Sequence, residues 1–242
     1  MSLLHGIKKL VRPDAPAKPP AYDEKARPPL RVFERFPKIP HISEKKAQFL
    51  YDLVVRYNCQ DCLELGFSHG KSTAVLAQAM EDKGSGHVTT MDLPVVLEYR
   101  SGINRVLPAL GLSHRVTVRT DPEGFHWSLM ELLEAEPRPS FDFVFLDGAH
   151  TWAGTGFAFL LVEKLLRPGA WVIFDDVFWT IAANEARRQA KGQALLPIYT
   201  DLTERERTTP QIKKVFDLLV TPDRYTDRAI RRDLRIGIAR RK

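Results

Sequence analysis

The period of apolar and polar positions changes repeatedly along this chain, and each change marks an element. In "HISEKKAQFLYDLVVRYN", Ala47, Leu50, Tyr51, Val54 and Val55 share one helical stripe, and Ser43 is placed to cap its first turn. "DCLELG" then reads as a strand, "KSTAVLAQAMEDKG" as a helix ending at Gly84, and "HVTTMD" as a second strand. "VVLEYRSGINRVLPAL" predicts a helix with Pro108 set to kink it, "RVTVRTD" a third strand, and "FHWSLMELLEAE" a helix. "FDFVFLD" is the fourth strand, "TWAGTGFAFLLVEKLLRPG" a helix stopped by Pro168-Gly169, and "AWVIFDD" the fifth strand. The nearly continuous apolar runs of strands four and five suit a sheet covered on both faces. Such alternation predicts an α/β fold with a doubly wound, mostly parallel sheet. After strand five the rhythm breaks: residues 177–208 are polar and partly helical, "PQIKKVFDLL" reads as a helix, and "LRIGIARR" as a last strand.

Composition adds boundaries to this picture. Residues 1–40 hold eight prolines, which predicts an extended arm without a core of its own, followed by one domain over 41–242. Such an arm suits crossing to a neighbouring subunit of a homo-oligomer or covering an active site. The 242 residues, 44% hydrophobic, can bury one substantial core. No apolar run approaches the ~20 residues of a membrane helix, and "MSLLHGIKKLVRPD" lacks the layout of a signal peptide. Cys59 and Cys62 lead into a strand rather than a helix N-terminus, and no second pair completes a zinc site. They read as buried thiols in a reducing cytoplasm. The net charge of +6 gathers in "DRYTDRAIRRDLRIGIARRK", where interspersed Asp and sparse aromatics favour a solvated basic surface over a nucleic-acid face.

The chemistry begins at "CLELGFSHGKSTAVLAQAM", which nearly spells a phosphate-binding loop. That loop needs four residues between its glycines so that successive N–H groups wrap a phosphate, and Gly66 and Gly70 enclose three. Glu64, at the end of strand one, would also repel a triphosphate. The pattern is E-x-G-x-x-x-G instead. Asp92 ends strand two, where an acid can hold ribose hydroxyls, and Asp121 ends strand three.

Three acids at successive strand ends, with this glycine loop, resemble the cofactor motif of the class I S-adenosylmethionine-dependent methyltransferases. The resemblance spans residues 43–242 and implies a seven-stranded, Rossmann-like sheet with an antiparallel strand near the C-terminus. It also implies a cofactor site formed by Glu64, Gly66, Ser68, Gly70, Ser72, Asp92, Asp121 and Asp147. In that family the glycine loop takes the amino-acid end of the cofactor, and the acid after strand three lies near adenine.

A second constellation follows strands four and five. In this family they are neighbours, ~4.8 Å apart, which brings Asp147, Asp175 and Asp176 together. Carboxylates so close repel unless a cation intervenes, and all-oxygen ligands suit Mg²⁺, with Ca²⁺ or Mn²⁺ as alternatives. "DGAH" with "LLRPGAWVIFDD" looks like the metal-dependent O-methyltransferases that act on sugar hydroxyls of macrolides and on catechols. The resemblance makes Asp147, Asp175 and Asp176 metal ligands and His150, expected about one turn into the following helix, the general base. Some members carry Glu-Asp where this chain has Asp175-Asp176.

Trp152, Phe178 and Trp179 could line a sugar or aromatic pocket, although core packing is the expectation. Residues 177–208 are expected to supply a substrate lid. An Asn-Pro-Pro-Tyr stretch for exocyclic amines and a Pro-Cys pair for cytosine C5 are absent, leaving oxygen as the acceptor. The rivals are an RNA methyltransferase using the basic C-terminus and a non-catalytic module that keeps the cofactor fold.

Overall fold

The structure is a computed structural model and describes residues 28–194, 199 and 201–242. Most of the expected proline-rich arm therefore lies outside the described residues, as do residues 195–198 and 200 of the expected lid.

The five strands expected from the pattern form the parallel part of the sheet: β1 Asp61–Leu65, β2 His87–Asp92, β3 Val116–Thr120, β4 Phe141–Leu146 and β5 Leu166–Phe174. Two further strands, β6 Tyr225–Arg231 and β7 Ile236–Arg241, run antiparallel to their neighbours and complete a seven-stranded sheet of order β3-β2-β1-β4-β5-β7-β6. Alternation along the central strands divides two cores. Cys62, Phe143, Phe145, Trp171 and Ile173 face one side, while Leu63, Val144, Leu146, Val172 and Phe174 face the other.

Helices cover both faces. On the first side lie α1 Arg31–Arg35, α2 Glu44–Arg56, α3 Lys71–Asp82 and α4 Ile103–Leu110; α5 Phe125–Glu134, α6 Trp152–Val162 and α9 Gln211–Leu219 lie on the second. Ser43 caps α2 as expected, accepting from the Lys46 N–H. Two more helices, α7 Ile181–Ala190 and α8 Glu204–Thr208, follow β5 and are joined by an ion pair between Arg207 and Glu185. Among the described residues no helix is long and apolar enough to cross a membrane.

Several boundaries differ from the sequence expectation, each for a local reason. Residues 28–40 are not a coreless arm: Leu30, Val32 and Ile39 are buried, and α1 lies on α3. There the Arg31 N–H donates to Gln78 at 2.9 Å and its guanidinium pairs with Asp82. The single helix read over 95–110 is split, because Gly102 opens α4 with an extended backbone after a 3₁₀ turn at Pro94–Glu98. The helix expected through Gly169 ends at Val162. Glu163, just beyond it, turns inward to Tyr225, Arg224 and Arg241. Cys59 and Cys62 are free and buried as expected, and burial pushes the Cys59 thiol up to about 12.

Candidate active site

Parallel strands in this order change direction of winding between β1 and β4. Ligands of doubly wound sheets bind at the carboxyl ends of the strands flanking such a point. A cavity of about 260 Å³ opens there. Its lining joins the loop after β1 (Gly66, Ser68, Ser72) and Asp92 to Asp147, His150, Asp175 and Asp176. The two constellations read from the sequence are thus walls of one space.

On the cofactor side, Gly66 is required by two constraints. Its φ is +91°, and a Cβ would stand 2.6 Å from the Asp147 carbonyl oxygen. Gly70, at φ +80°, sits at the N-cap of α3 rather than in the cavity lining. Asp92 accepts the Ser68 N–H at 2.7 Å and the Leu93 N–H at 2.8 Å, one on each oxygen. The remaining lone pairs of the carboxylate are available to hydroxyls.

Glu64 is fully buried behind the loop. Its Oε2 accepts from Thr73 at 2.5 Å and Thr90 at 2.6 Å, whereas Oε1 has no partner among the described residues. Burial pushes this carboxyl above its ordinary range, against the hydrogen bonds from Ser72, Thr73 and Thr90. Such an orphaned acceptor beside a glycine loop fits a ligand that brings a donor. Asp121 does not join the cavity. Its N–H donates to the Asp92 carbonyl at 3.3 Å and its carboxylate accepts from Glu123.

Lys71 excludes the phosphate-loop reading a second time. Its ammonium donates to the Ile39 carbonyl at 2.8 Å and lies 3.9 Å from the centre of the Phe33 ring, committed to the core.

On the opposite wall, His150 Nε2 lies 3.7 Å from Asp147 Oδ1 and 3.7 Å from Asp176 Oδ2. His150 is not one turn into a helix. It precedes Thr151, which caps α6 by accepting the Gly154 N–H. Ala149 (φ 62°), His150 (φ 55°), Asp176 (φ 49°) and Ser68 (φ 45°) are all non-glycine residues in left-handed backbone around this cavity. Each such residue costs on the order of 1 kcal/mol or more, and such strain clusters at functional sites. The Trp179 ring lies tilted with its centre 5.2 Å from that of His150, and Tyr199 lies 6.2 Å beyond it. Core packing, expected for these aromatics, fails for Trp152 and Trp179: the first is 43% exposed and the second half-buried against the site.

The carboxylates are unequal. Asp147 is half-buried and meets solvent within the cavity that it lines; burial and the neighbouring Asp175 charge push its carboxyl well up. Asp175 is 3% exposed, and burial raises its carboxyl although Lys46 pulls it down. Burial also acts on Asp176. There the nearby His150 ring and the charges of Lys46 and Arg235 outweigh it and hold the carboxyl below its usual range.

The same cations decide whether Mg²⁺ fits. Lys46 Nζ forms an ion pair with Asp175 Oδ1, which also accepts the Asp176 N–H at 2.7 Å. Arg235 Nε lies 3.6 Å from Asp176 Oδ1. Asp147, Asp175 and Asp176 meet as expected. Their repulsion, however, is already answered by the chain's own charges. Among the described residues no group of three or more His, Cys, Asp or Glu is arranged to hold a metal ion, so the site does not fit the divalent ion expected from the sequence.

Sequence reasoning missed Lys46 and Arg235. Lys46 carried a faint signal: it stands one turn before Leu50, a charged residue on a buried helical face. Arg235 lies in the β6–β7 turn, and β6 itself was not read.

Comparison with known proteins bears on the fold that carries this cavity. The model of a methyltransferase domain family matches residues 63–177, from β1 to just past Asp176. The fold is the Rossmann-like fold of the class I methyltransferases. The O-methyltransferase from Bacillus cereus, solved in complex with SAH, superposes on this chain with a TM-score of 0.61 at 23% identity, covering 88% of each chain. The O-methyltransferase TomG from Streptomyces achromogenes, solved with SAM, gives 0.60 at 20% identity over 92% of this chain and 91% of its own. The SAH-bound methyltransferase from Podospora anserina gives 0.59 at 17% identity, covering 85% and 83%. At these identities the likeness is one of fold. No curated protein matches the chain in sequence.

Proposed function

We propose that this chain moves a methyl group from S-adenosylmethionine to a hydroxyl of a small sugar-like or catechol-like molecule. One observation supports this most: a single cavity is walled on one side by Gly66, Ser68 and Asp92 and on the other by His150 between two carboxylates. Bound S-adenosylmethionine supplies an electrophilic methyl and leaves as a neutral thioether. Asp92 would hold the ribose hydroxyls, and the loop after β1, backed by the buried Glu64, would hold the amino-acid end. As the acceptor oxygen bonds the methyl carbon, His150 takes the hydroxyl proton. Asp147 and Asp176 orient the imidazole and favour the imidazolium that forms. Trp179 gives an acceptor ring or sugar face an aromatic surface, and the described parts of residues 177–208 act as the lid. No step is routed through a divalent cation, because Asp175 already holds Lys46.

The RNA reading loses its motive. Arg224 and Arg241 pair with Glu163, Arg231 pairs with Asp233, Arg235 reaches Asp176, and Arg240 binds the Gly169 carbonyl. The basic C-terminus is largely committed to its own fold.

The test is radiolabelled methyl transfer from S-adenosylmethionine across a panel of sugars, catechols and other phenols. On the acceptor that turns over, His150→Ala should lower kcat by ~10²–10⁴-fold. A variant within about threefold of wild type would remove His150 from the chemistry.

A further inference from the structure

Lys46 is 7% exposed and Asp175 3% exposed, so their ion pair is sequestered from water. A buried ammonium is tolerated only against a counter-charge, and removing that counter-charge strands it. Nothing in the methyl-transfer step uses this pair directly. It nevertheless lies beside the acceptor site, since Asp175 and Asp176 both line the cavity.

We propose that Lys46, assisted by Arg235, is the resident cation of the acceptor site and occupies the place a divalent ion would take, so that this chain transfers methyl groups without a metal. The inference rests on the methyl-transfer reading of the cavity and deepens it. Three carboxylates meet at the ends of β4 and β5, and two positive charges answer them, Lys46 buried and Arg235 half exposed. Lys46 comes from α2 on one side and Arg235 from the β6–β7 turn on the other. A divalent ion at Asp175 would compete with Lys46 for Oδ1, the atom that already serves both Nζ and the Asp176 N–H. It would also stand beside the ammonium in a place with little water to screen like charges. Lys46 is therefore a positioning residue. It holds Asp175 and, through the Asp175–Asp176 turn, the carboxylate facing His150.

Free Mn²⁺, followed by its electron paramagnetic resonance signal, reads the site without any methyl acceptor. Wild type should leave Mn²⁺ free to about 1 mM. Lys46→Met, which keeps the stem and removes the charge, should take up one equivalent roughly tenfold or more tightly than wild type. Adding Asp175→Asn should abolish that uptake. Methyl transfer by wild type should proceed unchanged in EDTA. The proposal is overturned if wild type binds one Mn²⁺ that Asp175→Asn releases, if EDTA stops transfer, or if Lys46→Met gains no metal. Should Lys46→Met fail to fold, Lys46→Gln replaces it, and the two wild-type measurements decide regardless. Calorimetry with S-adenosylhomocysteine on the same wild-type sample separates the layers. Metal uptake with intact cofactor binding sinks this inference alone, whereas absent cofactor binding sinks the methyl-transfer reading.

Discussion

Asp92 spends one lone pair on each oxygen to shape the loop after β1 and keeps others for a ligand. Asp92→Ala should weaken S-adenosylhomocysteine binding by ~1–3 kcal/mol by calorimetry, since ribose hydroxyls lose a charged acceptor; equal affinity would place the ribose elsewhere. Glu64 makes a pH-dependent prediction. Its native carboxyl is raised, so the folded state keeps a proton that the unfolded chain has released. Between the ordinary carboxylate range and the raised native value, this residue's contribution to stability falls as pH rises. Glu64→Gln removes that loss. In urea denaturation the variant should gain on wild type as pH rises above the ordinary carboxylate range, while binding S-adenosylhomocysteine less well. A stability difference independent of pH would contradict the buried-charge account. Residues at strand ends were legible in the sequence because an acid after an apolar run announces itself, as Glu64, Asp92, Asp147 and Asp175 do. Lys46 was not, because its partner Asp175 is 129 positions away and no local pattern pairs them.

At the scale of elements, α6 and the loop before it set where His150 points. Thr151 caps α6, and Thr155 Oγ1 donates back to the Gly148 carbonyl at 3.2 Å, tying the helix to the strained turn. Thr151→Ala should cost ~1 kcal/mol of stability and lower turnover while leaving cofactor affinity alone, measured by denaturation alongside the methyl-transfer assay. No change in either would show that the turn holds itself. β4 and β5 were legible for the same reason that they are buried: between helices on both faces, residues 143–146 and 170–174 are apolar throughout. β6 was hidden because it is an edge strand with a bulge at Thr226/Ala229 and charged residues toward solvent. The segment after β2 was misread because its apolar rhythm continues through Tyr99–Gly102, where the backbone leaves the helix.

For the whole molecule, the stretch from residue 28 to 40 is part of the domain's core. Leu30→Ala should destabilise the domain by ~2–5 kcal/mol in a single cooperative transition, because a fully buried leucine leaves a cavity against α3. A silent substitution would restore the coreless arm that proline content alone suggested. Averaged over 40 residues, that composition concealed a five-residue helix whose Val32 is buried. The architecture also explains why the site lies where it does: the winding reverses between β1 and β4, and the loops that carry both walls leave the sheet at that point. Whether that cavity is a methyl-donor site is decided by calorimetric titration of S-adenosylhomocysteine into the full chain. The account predicts one molecule bound per chain in the micromolar range, ~−8 kcal/mol, with the affinity reduced in Asp92→Ala and unaffected by EDTA. Absence of binding at millimolar ligand, or binding indifferent to Asp92, would contradict it.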